Sequence, residues 1–518
     1  MKTLKKTMIL PVILLLAEIL MMMLVSYKYG SLHLTADDSA EMILAEQLSR
    51  EGGILSPNWY YSTELRVLNT QIVMSLLFRF NHDWRLVRAL GSGIHLALLA
   101  FSWLFFCACL PDGRRYRRCV YWLLLPLTPV YHDIVIHGLF YIPHLCILFL
   151  TLGLCSYLQK HRSLSGWSAL ILLSFLAGAG GIRMIVTCYA ALPAAWLLEK
   201  ILFRDSGKRE GIIAAAALLS SSAGYVFNAV LLKRAYHYYV WNDLRLQFQI
   251  SRIPAVIRHI AVVLGVYKLE YGPLRNCASL LCGAAVLILA FLGIRLLLLF
   301  PKLAKEERLL LLFGICSFCC TAAGGILTNM QWNSRYLIMS CSMVLFLPGL
   351  YRKYFAAEKR KTAVLLMITV LVYTFSAFAQ IDDEASHGRT DLRPVISFLE
   401  EEGLRYGVGD WGASDELTEL SNGSIRMVKV TNWKELQIWY WLMDTEFREE
   451  IGESPLFVLL PKGHLNYSGG IGYLTGSWQE KDLVYLSEGE KVYEDEKYRI
   501  YVFDSFDQLF AGAGNRQD

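Results

Sequence analysis

Apolar runs separated by short polar or basic stretches fill the first 380 residues. They fall near residues 8–26, 86–109, 119–137, 138–157, 163–182, 184–202, 211–232, 277–300, 307–329, 335–350 and 363–380. Each is near the length a helix needs to cross the hydrocarbon core of a bilayer, so the pattern predicts about eleven transmembrane helices. The first run, "MILPVILLLAEILMMMLV", follows Lys2, Lys5 and Lys6 in the manner of a signal peptide. It is long, however, and its exit "SYKYGSLHL" offers no small-x-small cleavage site, so it reads as a retained first crossing.

Basic clusters lie between the runs: "GRRYRR" at 113–118, "KHR" at 160–162, and the stretches 200–209, 302–308 and 352–361. The positive-inside rule puts these in the cytoplasm together with the N-terminus. The segment "RVLNTQIVMSLLFRF" (66–80) is short and flanked by polar residues, and counting it as a crossing would move most later basic clusters outside. It is therefore expected to be a juxtamembrane or re-entrant helix within a large external loop, about 27–85. A second external loop covers about 233–276. The odd number of crossings then leaves the region after residue 380 outside the cell membrane.

That last region has a different rhythm. "RPVISFLEEEGL" has helical period, whereas "SIRMVKV", "PLFVLLP", "DLVYL" and "YRIYVFD" are short strand-like runs bounded by Gly, Asn and Asp. The expected fold is thus mainly α and polytopic over 1–380, followed by an extracytoplasmic α/β domain over 381–518.

Composition supports this division. With 55% apolar residues and a mean hydropathy of +0.38, the chain is too hydrophobic for an ordinary soluble protein. Its net charge of +5 conceals a split, since residues 381–518 hold 27 acidic against 13 basic side chains, a net of −14, leaving +19 for the rest. All twelve cysteines lie between Cys107 and Cys341, so no disulfide framework supports the acidic domain. Cys316, Cys319 and Cys320 lack the second ligand pair a zinc site needs. No nucleophile triad, P-loop or dinucleotide fingerprint is present, although Asp410, Trp411, Asp415 and Glu416 form a polar cluster in the C-terminal domain. No nucleic-acid partner is expected.

The most informative polar stretch is "LHLTADDSAEMILAEQLSREGG" (32–53), which places Asp37, Asp38 and Glu41 within one helical turn. Thr35 or Asp37 is suited to cap that helix, and its dipole favours acids at the first turn. Capping explains one acid, or two, but not all three. A carboxylate here can also take a proton from an acceptor hydroxyl, with neighbouring acids raising its pKa, or hold a divalent cation. Arg183 in "GAGGIRMIV" and Arg335 in "NSRYLIMS" are candidates for a phosphate, which a guanidinium binds with two donors. Arg66 either pairs with Glu64, snorkels to the interface, or joins them. His132, Asp133 and His137 are explained by a helix end as well as by a metal. Trp59, Tyr60 and Tyr61, and "AYHYYVWNDL" (235–244), fit an interfacial belt or a platform for a sugar ring.

A first external loop that opens with paired acids, continues as a helix to Gly52, and then shows an aromatic turn and a second short helix resembles the loop of GT-C fold glycosyltransferases. The likeness is to the branch of the aminoarabinose–lipid A transferase and the protein mannosyltransferases, in which the pair is Asp-Glu; here it is Asp37-Asp38. "SPNWYYSTELRVLNTQ" (56–71) is similar to the loop end where that branch places a basic residue, with Arg66 in that position. "TPVYHDIVIHGLFY" (128–141) is similar to its second external turn, with Asp133 as the acid, and "NSRYLIMS" to its late Arg-Tyr-Leu stretch. The resemblance implies an inverting transfer of a sugar from a polyprenyl-phosphate carrier to an extracytoplasmic acceptor hydroxyl. Asp37 or Asp38 would act as base, Glu41 and Asp133 as support, and Arg66, Arg183 and Arg335 as ligands of the lipid phosphate. No cofactor is required beyond an optional divalent cation on Asp37 and Asp38; the partners are the lipid-linked donor, an acceptor and membrane lipids. Two other readings remain open: a transporter or flippase of a lipid-linked glycan, and a non-catalytic membrane protein whose external domain binds a partner.

Overall fold

In the computed structural model, the residues described are all except 1, 63–64, 66, 206, 240–244, 271, 331, 356–357, 387–390, 464, 469–473 and 513–518. Among them, eight helices are long and apolar enough to cross a membrane: Leu10–Leu32, Trp84–Cys109, Ile142–Lys160, Ile182–Phe203, Lys208–Ala235, Pro273–Leu298, Lys305–Leu327 and Ala363–Ser386. Many of their leucines and isoleucines are exposed, Leu16, Leu24, Leu219 and Leu287 among them. Apolar side chains turned outward on helices of this length suit lipid.

Three further apolar runs take other forms. The run at 163–182 supplies Leu164–Ala179, only 16 residues long, which stops at Gly180 and at Gly181 with φ 124. The run at 119–137 is broken into Val120–Leu123, Pro129–Tyr131 and a π-helical turn, His132–His137. Pro126 and Pro129 lack the N–H that a continuous helix would use, and Thr128 restarts the chain by accepting from the Tyr131 N–H. The run at 335–350 alternates between 3-10 turns (Ser334–Leu337, Met343–Phe346) and short α-helices (Ile338–Ser342, Leu347–Tyr354). Pro348 removes the i→i−4 bond there, and the preceding turn tightens. Both broken segments are packed within protein, where irregular backbone finds partners.

The first loop holds two helices. Ala36–Glu51 starts with a reciprocal capping box: Thr35 Oγ1 accepts from the Asp38 N–H, and Asp38 Oδ2 accepts from the Thr35 N–H at 3.0 Å. It ends at Gly52, whose φ of 78 is the left-handed conformation a C-terminal cap uses. Within the stretch 66–80, the helix is only Gln71–Phe78, which buries Met74 and Phe78 against its neighbours and is too short to span.

The C-terminal region contains most of the sheet structure. In chain order the strands are β1 (Trp59–Tyr61), β2 (His237–Tyr238), β3 (Tyr406–Gly409), β4 (Arg426–Asn432), β5 (Gln437–Ile438), β6 (Met443–Asp444), β7 (Leu456–Pro461), β8 (Leu465–Ser468), β9 (Leu474–Trp478), β10 (Glu490–Glu494) and β11 (Tyr498–Phe503). Six form one sheet in the order β10-β11-β7-β3-β4-β5, with β3 parallel to β4 and β7. Along β7, Leu456, Val458 and Leu460 face one core while Phe457 and Leu459 face the other, the alternation of a strand covered on both sides.

A smaller sheet joins distant parts of the chain. β1 from the first loop pairs with β2 from the second loop and with β6 from the C-terminal region. A buried ion pair reinforces the junction: Arg88 Nε and Nη2 each donate to Glu419 at 2.6 Å, and Nη2 also donates to the Asp38 carbonyl at 3.0 Å. Arg426 reaches Glu46 at 3.1 Å, and the Trp84 N–H donates to Asn422 Oδ1 at 3.0 Å.

Candidate active site

The capping box separates the two acids of the loop. Asp38, at the third helical position, turns back to Thr35 and is buried, with its side chain 2% exposed; burial pushes its pKa up against the opposing pull of His137, Arg88 and Thr35. Its second oxygen, Oδ1, has no hydrogen-bond partner among the described residues. Gly138 lies against that oxygen, so close that a Cβ there would meet Oδ1 at 2.7 Å. Asp37, one position earlier, points the other way and keeps 37% of its side chain exposed.

Asp37 faces the late 3-10 turn. Arg335 Nη1 lies 4.0 Å from Asp37 Oδ2. Asn333 caps that turn by accepting from the Arg335 N–H, which directs the arginine toward the loop. Arg183 follows the Gly180-Gly181 break, and its guanidinium sits over the rings of Tyr141 and Tyr336 at 5.2 and 5.3 Å. Arg335 also lies over Tyr336, at 5.7 Å, so two guanidiniums share one ring. The Arg335 Nε is buried and has no hydrogen-bond partner among the described residues.

The C-terminal region packs its helix Trp411–Leu420 against the first-loop helix. Lys429 on β4 is fully buried and donates to Asp415 Oδ2 and to the Leu442 carbonyl, both at 2.8 Å. Burial pushes the Asp415 carboxyl up to about 6 despite Lys429, and pushes Lys429 down despite Asp415; the charge of Asp37 acts on both. A second cluster lies on the other side of Asp38. Glu384, at the end of the last long helix, accepts from His132 Nε2 at 3.0 Å and lies 3.4 Å from His137 Nδ1, while His33 Nε2 contacts its carbonyl at 2.7 Å. Burial opposes protonation of His132, but its bonds to Asp133 and Glu384 prevail and carry its pKa to about 9.

Of the residues singled out from sequence, Asp37, Arg183 and Arg335 come together. Asp38 is adjacent but engaged in the cap. Glu41, one turn on, accepts from Asn69 and Thr70 at 3.0 and 3.1 Å, tying the two loop helices to each other. Asp133 lies 3.3 Å from His132 Nδ1, on the histidine side of Asp38. Arg66 lies outside the described residues. Trp59 and Tyr61 are buried in the small sheet and present no ring face. Among the described residues, no group of three or more His, Cys, Asp or Glu side chains is arranged to hold a metal ion.

Several contributors escaped the sequence reading. Arg88 carried the clearest signal, a charge inside an apolar run, which is costly unless paired. Glu384 stands at the exit of the last run in "IDDEASH", but nothing local indicates that histidines 132 and 137 are its partners.

Between the two broken segments and the helices Pro273–Leu298 and Ala363–Ser386 lies an apolar cavity of about 340 Å³. Its lining extends from Arg118 and Arg352 to Thr128, Val263 and Ile338. Ile338, which lines the cavity, is one turn beyond Arg335, and Ser334 is held by His259 Nδ1 at 2.7 Å. No protein family and no curated protein matches the chain.

Proposed function

We propose that the chain is an inverting glycosyltransferase of the GT-C kind, moving a sugar from a polyprenyl-phosphate carrier to an acceptor hydroxyl on the extracytoplasmic side of the membrane. The observation that carries this reading is the meeting of a partly exposed carboxylate, Asp37, with two arginines, Arg335 and Arg183, in a chain that also holds an apolar cavity among its helices. In such a reaction the acceptor oxygen attacks the anomeric carbon as the bond from that carbon to the phosphate oxygen breaks. Asp37 takes the acceptor proton, and the electron pair leaves with the polyprenyl phosphate. Arg335 and Arg183 bind the phosphate and stabilise the charge that grows on it, which is where fixed cationic donors are most effective. The Arg335 Nε, without a hydrogen-bond partner among the described residues, suits a phosphate oxygen, and the cavity suits the start of the isoprenoid chain. Asp38 and Glu41 then act as positioning residues, one capping the loop helix and the other anchoring it.

The test is transfer of labelled sugar from a polyprenyl-phosphate donor by membranes containing the protein. Asp37→Asn should lower kcat by about 10²–10⁴-fold with little effect on donor KM, the usual contribution of a positioned general base. Transfer by D37N membranes at the wild-type rate would end the proposal.

A further inference from the structure

The stretch 334–354 is helical throughout, in alternating 3-10 and α turns, and lines the apolar cavity from Ile338 to Arg352. Those two residues are 14 positions apart, which makes this wall roughly 21 Å long. Leu345, Gly349 and Arg352 recur on it at i, i+4 and i+7, so they share one face and the guanidinium stands at its end. The last long helix supplies a second wall with the same spacing, Leu366, Val370 and Tyr373. Only residues 355–358 separate the two helical stretches, which pack together. Leu366 is one turn inside the span that begins at Ala363, so the Arg352 end of the cavity opens at the membrane face where that span starts.

The hydroxyls of the lining are all spent: Thr128, Tyr131, Ser342, Thr369 and Tyr373 each donate to a backbone carbonyl. The interior therefore suits a hydrocarbon chain better than a polar ligand. The charged groups at the mouth are in a different state. Arg115 is engaged by Asp112 and Glu307, but Arg118 and Arg352 are exposed and have no hydrogen-bond or ion-pair partner among the described residues. Both line the same cavity, and Cys119, next to Arg118, donates its thiol to the Leu345 carbonyl at 3.4 Å, which holds the two walls together at this end. Two guanidiniums at the mouth of an apolar slot match an anionic head on a hydrocarbon chain. A headgroup that brought its own cation would gain nothing from Asp112, Glu307 or Glu358, which already hold Arg115, Lys353 and Arg295. Depth agrees with this: the two walls, roughly 10 Å from Leu366 to Tyr373 and roughly 21 Å from Arg352 to Ile338, bracket the ~15 Å of one leaflet, half of the hydrocarbon core.

We infer that the cavity binds one anionic phospholipid, with its phosphate on Arg118 and Arg352 and an acyl chain along the apolar walls. The site is separate from the Asp37–Arg335 group, since Arg352 lies 17 helical positions from Arg335, roughly 25 Å. The inference does not rest on the glycosyltransferase reading, and its test involves no sugar transfer. Full-length protein is purified and delipidated in dodecyl maltoside, and binding of phosphatidylglycerol and of phosphatidylcholine with the same acyl chains is measured by native mass spectrometry. Phosphatidylglycerol should bind more tightly by about tenfold, and Arg118→Gln with Arg352→Gln should abolish that preference. Both arginines are exposed, so the variant keeps its packing. Arg114→Gln with Arg117→Gln, which removes two exposed arginines of the same cluster that do not line the cavity, should change the preference by less than about twofold. Glycerol phosphate, the headgroup without chains, should not displace the lipid even in large excess. Equal binding of the two phospholipids overturns the inference, as does an unchanged preference in the Arg118 and Arg352 variant or an equal loss in the Arg114 and Arg117 variant. Displacement by glycerol phosphate would overturn it in favour of a surface anion site. Tighter binding of decaprenyl phosphate than of phosphatidylglycerol, lost in the Arg118 and Arg352 variant, would overturn it in favour of a polyprenyl carrier.

Discussion

Removing the carboxylate of Glu419 tests whether the C-terminal region is locked onto the first loop. Arg88 and Glu419 are 6% and 5% exposed, and their two bonds are both 2.6 Å. Glu419→Ala would strand a buried guanidinium with one remaining hydrogen bond of the three described, to the Asp38 carbonyl. Breaking one side of a buried pair in this way costs about 3–5 kcal/mol, because the surviving charge keeps its desolvation penalty without its partner. Replacing both residues with apolar side chains, Arg88→Met with Glu419→Leu, removes that penalty together with the attraction, so most of the loss should be recovered. Unfolding of the purified protein in mixed micelles, arranged as a double-mutant cycle, reads the coupling directly. A single variant costing under about 1 kcal/mol, or a double variant costing as much as the two singles together, would refute the reasoning.

Two further outcomes follow from the site. Asp38→Asn should retain sugar transfer within about tenfold of wild type, and Thr35→Ala should lower stability by about 1 kcal/mol, the usual value of an N-cap; initial rates and unfolding curves check both. The raised pKa of His132 sets a pH dependence: the protonated ring is favoured in the folded state, so its contribution is complete below about 6.5 and is lost as pH rises through about 9. The full contribution is about 3 kcal/mol. The wild-type unfolding midpoint should therefore fall across that window while that of His132→Gln stays level, and a parallel fall in both proteins would show that another group is responsible.

Much of the membrane-embedded part was legible because a spanning helix is a local property. Length and apolarity identified each of the eight long helices, and Thr35 and Gly52 marked the ends of the first-loop helix. The breaks at 119–137 and 335–350 were less visible. Hydropathy records that a segment is buried but not whether neighbouring chains satisfy an irregular backbone, although Pro126, Pro129 and Pro348 were signs of it. Asp37 and Asp38 are adjacent and chemically identical in sequence, and only the turn of the helix start shows that one reaches back to its cap while the other looks out. Trp59 and Tyr61 depart from the aromatic reading for a related reason. Trp59 and Tyr61 became a buried central strand because their partners lie at His237–Tyr238 and Met443–Asp444, far away along the chain. Pairings of that separation leave no local trace.

The same small sheet governs when the protein can finish folding. Its central strand is made early in synthesis, yet Tyr60 has to await Met443, and Arg88 has to await Glu419. The helices can enter the membrane one after another as they emerge, whereas the first loop acquires its final form only after nearly the whole chain has been delivered. Contacts of such long sequence separation are slow to close, and the unpaired edges of β1 are exposed meanwhile. A chain cut before β6 would therefore lack one of the two strands that pair with β1.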